Sequence, residues 1–217
     1  MSTPENPLET DPRFWLLSEA LASYAADADD PPPPDPDFLQ AAVSLVIRAN
    51  EHLELLLIKR ARSERDPWSG HMALPGGRRD PTDATLQDTA VRETREETGV
   101  DLAGGGIALG RLDEVAPGSV RLPKLTIAPF VYGVPAGTGA RVASREIDAV
   151  HWVTLDRLRA PATHGKVEIP LPGGTRTFPC FQVVDEIVWG LTYRILTQFL
   201  ELYPDSELRK LSEDGSR

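Results

Sequence analysis

Gly76-Gly77-Arg78-Arg79-Asp80-Pro81-Thr82-Asp83, followed after eight residues by Arg92-Glu93-Thr94-Arg95-Glu96-Glu97-Thr98-Gly99-Val100, decides how this chain reads. Residues 81–98 hold no glycine and, after Pro81, no proline, and Gly99 closes them, so they read as a helix. Asp80 suits the N-cap, Pro81 the first helical position and Asp83 a capping-box-like place three residues after the cap. At about 100° per residue, Glu93, Glu96 and Glu97 share an arc of roughly 100° on that helix. Three carboxylates so placed repel each other, and repel more strongly once water is withdrawn. They call for a cation, and an all-oxygen donor set favours Mg2+ or Mn2+ over zinc. Arg92, four residues before Glu96, can pair with it and fix its rotamer. Gly76-Gly77 lets bare backbone approach a ligand, offering a carbonyl to a metal and amides to phosphate. Alone, Arg-Glu-x-x-Glu-Glu is an ordinary charged surface helix. The preceding glycine loop and the closing glycine set it apart.

Upstream, Ala41–Arg48 and His52–Arg60 are apolar, β-branched and leucine-containing runs on either side of Ala49-Asn50-Glu51, which predicts an antiparallel pair. Met72–Leu74 reads as a short strand ending in the Pro75-Gly76-Gly77 loop. Downstream, strands are expected at 107–115, 125–134 and 149–155, a loop at 135–144, and a hairpin of 167–171 and 175–181 around Pro172-Gly173-Gly174. Ile187, Leu191, Ile195, Phe199 and Leu202 predict a helix over Asp185–Leu202. At the other end, Phe14, Leu17, Leu21 and Tyr24 predict an amphipathic helix over 11–26, followed by a stiff Pro/Asp-rich linker over 27–37. The N-terminal helix could pack on the main domain or serve a homodimer. The chain thus divides into an N-terminal helix and linker (1–36), a main domain (37–203) and a charged tail (204–217). Strands, helix, strands, helix imply an α/β fold with a mixed sheet covered by helices on both sides, plus the N-terminal helical appendage.

The net charge of −10 argues against a general nucleic-acid binder. Residues 1–36 carry eight acids and one base, whereas Lys59–Arg79 carries six bases and two acids. That local basic patch can draw an anionic small molecule to one place, or be no more than a solvated loop with scattered arginines. Apolar runs such as Leu55–Ile58 are far too short to span a membrane, and the first residues lack the pattern of a secretory signal. A single cysteine, Cys180, forms no internal disulfide and fits a reducing cytoplasm. It reads as a small core residue. His71, His151 and His164 are not spaced like a zinc site, and Trp68 suits either packing or stacking on an adenine.

With these residues in view, the chain resembles the Nudix hydrolases, whose box is written G-x5-E-x7-R-E-U-x-E-E-x-G-U. Residues 92–100 match its second half, with Thr94 and Val100 at the two apolar positions, and the resemblance extends over about 38–202. From Gly77 to Arg92 the spacing is one residue longer than the general box, and Asp83 stands nearest to its first glutamate. Both departures occur in the coenzyme A diphosphatase branch, whose F-P-G-G-K-x-D-x-x-D is similar to Leu74–Asp83 here. Trp189-Gly190-Leu191-Thr192 also resembles that branch's closing helix. Of the branch's upstream signature, Arg60, Arg65 and the Gly70-to-Pro75 spacing correspond; Ala61 replaces a serine, and one extra residue lies between Arg65 and Gly70.

The resemblance implies an α/β/α sandwich and metal-dependent hydrolysis of a diphosphate linkage in a nucleotide-derived small molecule. The substrate expected first is coenzyme A or an acyl-CoA, cut to 3′,5′-ADP and 4′-phosphopantetheine. ADP-ribose or a nucleotide sugar is the alternative. By position in the motif, Glu93 and Glu97 would be metal ligands and Glu96 a third or water-mediated one. The carbonyl of Gly76 or Gly77 would complete the site, and Arg92 would orient Glu96. Glu146 is the candidate general base from outside the box. Arg60, Arg65, Arg78 and Arg79 are the candidates for the substrate's phosphates. A non-catalytic binding module of the same fold would be marked by loss of a box carboxylate, and all three are present. An isomerase of this fold would need a catalytic cysteine, and Cys180 has no obvious acid partner in sequence.

Overall fold

Two long apolar strands set up the architecture, and the way they part creates the site. The computed structural model describes residues 11–24, 39–62, 70–117, 124–171 and 174–202. Strand β1 (Leu39–Ala49) turns back into β2 (Leu53–Arg60), but the two pair only over 47–49 and 53–55. Beyond that they diverge. Strand β3 (Met72–Ala73) pairs with 58–59 of β2, and β4 (Gly76–Arg78) pairs with 41–43 of β1. The segment 72–78 therefore bridges the split, pinned by the Ser44 N–H donating to the Pro75 carbonyl at 2.8 Å.

The other edge of β1 carries β6 (Leu125–Val134), parallel over ten residues, with β5 (Ile107–Arg111) antiparallel beyond it. Strand β7 (Ile147–Thr154) runs antiparallel along β2, completing a seven-stranded mixed sheet. Strands β8 (His164–Leu171), β9 (Gly174–Val183) and β10 (Glu186–Trp189) form a separate antiparallel sheet of three.

Both faces of the large sheet are buried, and β1 shows it by period-two alternation. Leu45 and Ile47 join one core, and Ala42 and Val46 the other. The first core is covered by α1 (Pro12–Tyr24) and α5 (Gly190–Leu202) through Phe14, Leu17, Leu21, Ile195, Leu196 and Phe199. The second is covered by α2 (Leu86–Thr98) and the short α3 (Leu102–Gly105), through Leu86, Ala90 and Leu102. A further short helix, α4 (Leu155–Arg159), follows β7. Among the described residues no helix is long and apolar enough to cross a membrane.

The N-terminal helix is seated on its own domain. Phe14, Leu17 and Leu21 are fully buried, each contributing about 1.5–3 kcal/mol by area. Arg13, held by Asp11, donates to the Asn50 carbonyl at 2.8 Å, tying the helix to the β1–β2 turn. The linker expected at 27–37 and the tail from 204 lie outside the described residues.

Three expectations are corrected. The helix of the motif begins at Leu86, not at 81. Thr85 is its N-cap, accepting from the Asp88 N–H while Asp88 accepts from the Thr85 N–H, so the capping box is Thr85/Asp88 and Asp80–Asp83 is a turn. Residues 76–78, read as loop, are a strand. The late helix starts at Gly190: Val184 and Asp185 both have positive φ (47° and 61°), as a two-residue type I′ hairpin requires, so 186–189 pair with 180–183 instead.

Candidate active site

Helix α2 crosses the split between β1 and β2, and hydroxyls fix its height. The Thr94 hydroxyl donates to the Ala90 carbonyl at 2.7 Å, and the Ser44 hydroxyl, 2.8 Å from that of Thr94, lies 3.2 Å from the same carbonyl. A threonine thus serves at the motif's first apolar position because β1 presents a serine to it. The helix ends at Gly99 in the left-handed conformation (φ 71°). Its last carbonyls are taken by the next segment, where the Arg141 N–H bonds Thr98 and the Ala143 N–H bonds Glu97. That contact brings Glu146, at the threshold of β7, to the C-terminal end of α2. The Glu146 carbonyl is held by the Ala61 N–H at 2.7 Å, just past Arg60.

Glu97 is buried, and its Oε2 accepts from the Gly76 N–H at 2.9 Å. Burial pushes its carboxyl up to about 8; Glu93 and Glu146 add to the rise, while the Gly76 N–H and the Arg60 charge oppose it. Glu93 is half-buried and is also raised, first by burial and then by Glu96 and Glu146, against the pull of Arg92. The two glycines are there because nothing larger fits. A Cβ on Gly77 would lie 2.5 Å from the Glu93 carboxyl carbon, and one on Gly76 would lie 2.2 Å from the Ala42 carbonyl oxygen. The ladder also chooses between their carbonyls. Bonds from Ser44 N–H to Pro75 and from Arg79 N–H to Gln40 bracket the register, so alternation makes Ala42–Gly77 a bonded pair and turns the polar groups of Gly76 out of the ladder. Gly76 is thus the backbone group placed at the acids.

The other half of the helix carries the opposite condition. Asp83 is buried and takes a two-pronged bond from Arg92, Nε at 3.0 Å and the guanidinium NH2 at 2.9 Å. Arg92 holds it down at about 2 against burial, helped by the Asp80 N–H and the Thr89 hydroxyl. The remaining Arg92 donors reach the Arg78 carbonyl (3.2 Å), Glu93 (2.9 Å) and the exposed Glu96 (3.2 Å). Arg92 therefore orients Glu93 as well as Glu96, and Asp83 stabilises Arg92. The Asp83–Arg92 coupling was not legible in sequence, where Asp83 read as a capping residue.

The predicted cations part company. Arg60 is half-buried beside the acid cluster, and its charge acts on Glu97. Arg78 is exposed next to Gly77. Arg79 is spent on the loop, bonding Gln40 (3.1 Å) and the carbonyls of Asp83 and Ala84, so it holds the 79–84 turn. Arg65 and Trp68 lie outside the described residues. Cys180 is buried, as expected of a core residue.

No group of three His, Cys, Asp or Glu side chains among the described residues forms a ready-made metal cage, and Arg92 engages Glu93 and Glu96. The donor chemistry nevertheless fits a hard divalent cation. Two acids with raised proton affinity stand close together, a third carboxylate and Glu146 are near, and a backbone glycine borders them.

The family model described as the NUDIX domain matches residues 38–170. An uncharacterized protein of Schizosaccharomyces pombe is 36% identical over 131 residues, covering 58% of this chain and 40% of that protein. The human mitochondrial coenzyme A diphosphatase NUDT8 is 33% identical over 133 residues, covering 60% of this chain and 54% of that one. The uncharacterized Nudix hydrolase NudL of Photorhabdus laumondii is 26% identical over 174 residues, covering 79% of this chain and 90% of that one. The chain thus spans about half or less of the first and second of these and nearly all of the third. A MutT/nudix family protein from Enterococcus faecalis, solved by crystallography, shares the fold with a TM-score of 0.50 at 18% identity, covering 85% of this chain and 73% of that one. With the family model spanning the split sheet, the glycine strand and the glutamate helix together, the chain belongs to the NUDIX domain family.

Proposed function

We propose that this protein hydrolyses the diphosphate linkage of coenzyme A or an acyl-CoA, adding water across the P–O–P bridge to give 3′,5′-ADP and 4′-phosphopantetheine or its acyl form. The observation that carries the hydrolase reading is the meeting of Glu93 and Glu97 with Glu146 and Arg60 at the place where Gly76-Gly77 crosses the sheet. The choice of coenzyme A is supported by the similarity to the human diphosphatase and by the run Leu74–Asp83.

Glu93 and Glu97, with Glu96 and the Gly76 carbonyl, would hold Mg2+ or Mn2+. Such an ion, when bound, neutralises charge on the phosphates and lowers the pKa of water. The chain's own groups do the rest. Arg92, fixed by Asp83, holds the carboxylates of Glu93 and Glu96 in orientation. Glu146, exposed at the head of β7, accepts the proton of the attacking water. Arg60 and Arg78 meet phosphate oxygens, where a guanidinium's paired donors suit a phosphate.

A second reading, ADP-ribose or a nucleotide sugar, is favoured by three features: Ala61 and the extra residue before Gly70 depart from the coenzyme A signature, and Arg79 is tied up in its loop. Mass analysis of products separates the two. Coenzyme A, ADP-ribose and a UDP-sugar are offered in parallel with Mg2+ and with Mn2+. Release of 3′,5′-ADP and 4′-phosphopantetheine is expected. Turnover of only the other substrates would overturn the coenzyme A assignment.

A further inference from the structure

Three ring-bearing side chains stand apart from both cores. Trp189, the last residue of β10, meets the His71 ring edge-on, with centroids 5.1 Å apart and planes at 68°. Phe178 on β9 lies 5.3 Å from the same indole, tilted by 46°. All three are half-buried, and Phe178 and Trp189 belong to neither apolar core, unlike Phe14, Phe130, Phe181 and Phe199. Neither neighbour lies parallel to the indole, so neither ring is stacked face to face upon it.

The cluster is tied to the end of β2, where Arg60 stands. The ion pair of Lys59 with Glu186 draws β10 onto the end of β2. The next residue of β2 is Arg60, whose N–H donates to the His71 carbonyl at 3.0 Å and whose carbonyl accepts from the Gly70 N–H at 3.1 Å. Arg60 is therefore joined both to the acid cluster, where its charge acts on Glu97, and through the His71 backbone to the ring cluster. A cation followed at once by flat aromatic surface is complementary to a nucleotide, which presents phosphate followed by a flat base. On β8 alongside, half-buried Val167 pairs with Phe178 and shares its face, whereas exposed Lys166 and Glu168 alternate to the other face.

We infer that Trp189, backed by Phe178 and His71, is the platform on which the adenine of the nucleotide substrate stacks, with Arg60 taking the phosphate that follows it. The inference rests on the proposed function in taking the substrate to be an adenine nucleotide.

Calorimetric titration of the full chain with 3′,5′-ADP and, separately, with inorganic pyrophosphate tests it in wild type, Trp189→Ala and Trp189→Phe. Loss of base stacking should weaken 3′,5′-ADP roughly five- to a hundredfold in Trp189→Ala. Pyrophosphate, which has no base, should be unaffected; Trp189→Phe should keep most of the affinity. In turnover, KM should rise while kcat holds. Equal weakening of both ligands, unchanged 3′,5′-ADP affinity, or no 3′,5′-ADP binding by wild type would each overturn the platform. Should Trp189→Ala fail to melt cooperatively, quenching of tryptophan fluorescence by 3′,5′-ADP decides instead: it is expected in wild type and lost in Trp189→Phe. Cleavage of coenzyme A with Trp189-independent binding would sink the platform alone. Trp189-dependent binding without cleavage would sink the coenzyme A reading alone.

Discussion

Asp83 and Glu97 are both buried carboxylates at the two ends of one short stretch, and their surroundings have driven them in opposite directions. Asp83 receives the fork of Arg92, the Thr89 hydroxyl and a backbone N–H, and sits at about 2. Glu97 receives one N–H, from Gly76, faces Glu93 and Glu146, and sits at about 8. The first cluster is complete and anchors the helix. The second is under-compensated, with burial and two neighbouring carboxylates set against its charge. Burial alone does not set a carboxylate's charge; the partners supplied to it do.

The largest expected effect is on Glu97→Gln. Removing a ligand of the proposed metal should cost several kcal/mol of transition-state stabilisation, on the order of a thousandfold in hydrolysis rate. The same change should leave the metal-free protein at pH 8 no less stable than wild type, because it deletes a buried charge. A large loss of stability would break the comparison. Next comes Arg92→Ala, which should lower hydrolysis by roughly ten- to a hundredfold by releasing Glu93 and Glu96. Chemical denaturation should also show a loss of about 3 kcal/mol, because Asp83 is left buried and unpaired. Intact stability would show that the anchor is not one. Gly77→Ala should harm activity more than folding, since its methyl group would meet the Glu93 carboxylate, a side chain that can swing away, with overpacking of about 1–3 kcal/mol as the upper range.

The smallest effect is read from pH. The Asp83 carboxyl is below its ordinary value of 3.8, so its contribution is fully present above about pH 4 and lost as pH falls towards 2, on the order of 2 kcal/mol in all. Asp83→Asn should flatten that acid limb. The Glu97 carboxyl is above its ordinary value of 4.5, so the folded state keeps a proton that the unfolded chain releases. Metal-free stability should therefore fall as pH rises from about 4.5 to about 8, and Glu97→Gln should remove that slope.

Much of the unsatisfied cluster was legible in sequence and little of the satisfied one was. Glu93, Glu96 and Glu97 share a face because helical geometry is local, and Gly76-Gly77 announces close backbone approach by having no side chains. Asp83 was misread because Asp80-Pro81 carries a correct local start signal; the capping box at Thr85 and Asp88 competed with it, and Arg92, nine residues on, claimed Asp83. The late helix was over-extended for a similar reason. Ile187 and Leu191 stand at helical spacing, yet the left-handed pair Val184-Asp185 commits 186–189 to a hairpin, and β-branched Val184 does not advertise that conformation. Glu146 is brought near the acids by the bonds of Arg141 and Ala143 to the end of α2 and by its own carbonyl's bond from Ala61, contacts between segments that periodicity does not encode.

The contrast between the two carboxylates is tested most directly by the thermal midpoint at pH 8, with and without Mg2+ or Mn2+, in wild type and Glu97→Gln. The wild-type midpoint should rise by roughly 5–10 °C at a hundredfold excess of metal over Kd. Glu97→Gln should respond weakly and, without metal, melt no lower than wild type. An equal response to metal in both proteins, or none in wild type, would contradict the view that Glu97 is held high in wait for a divalent cation.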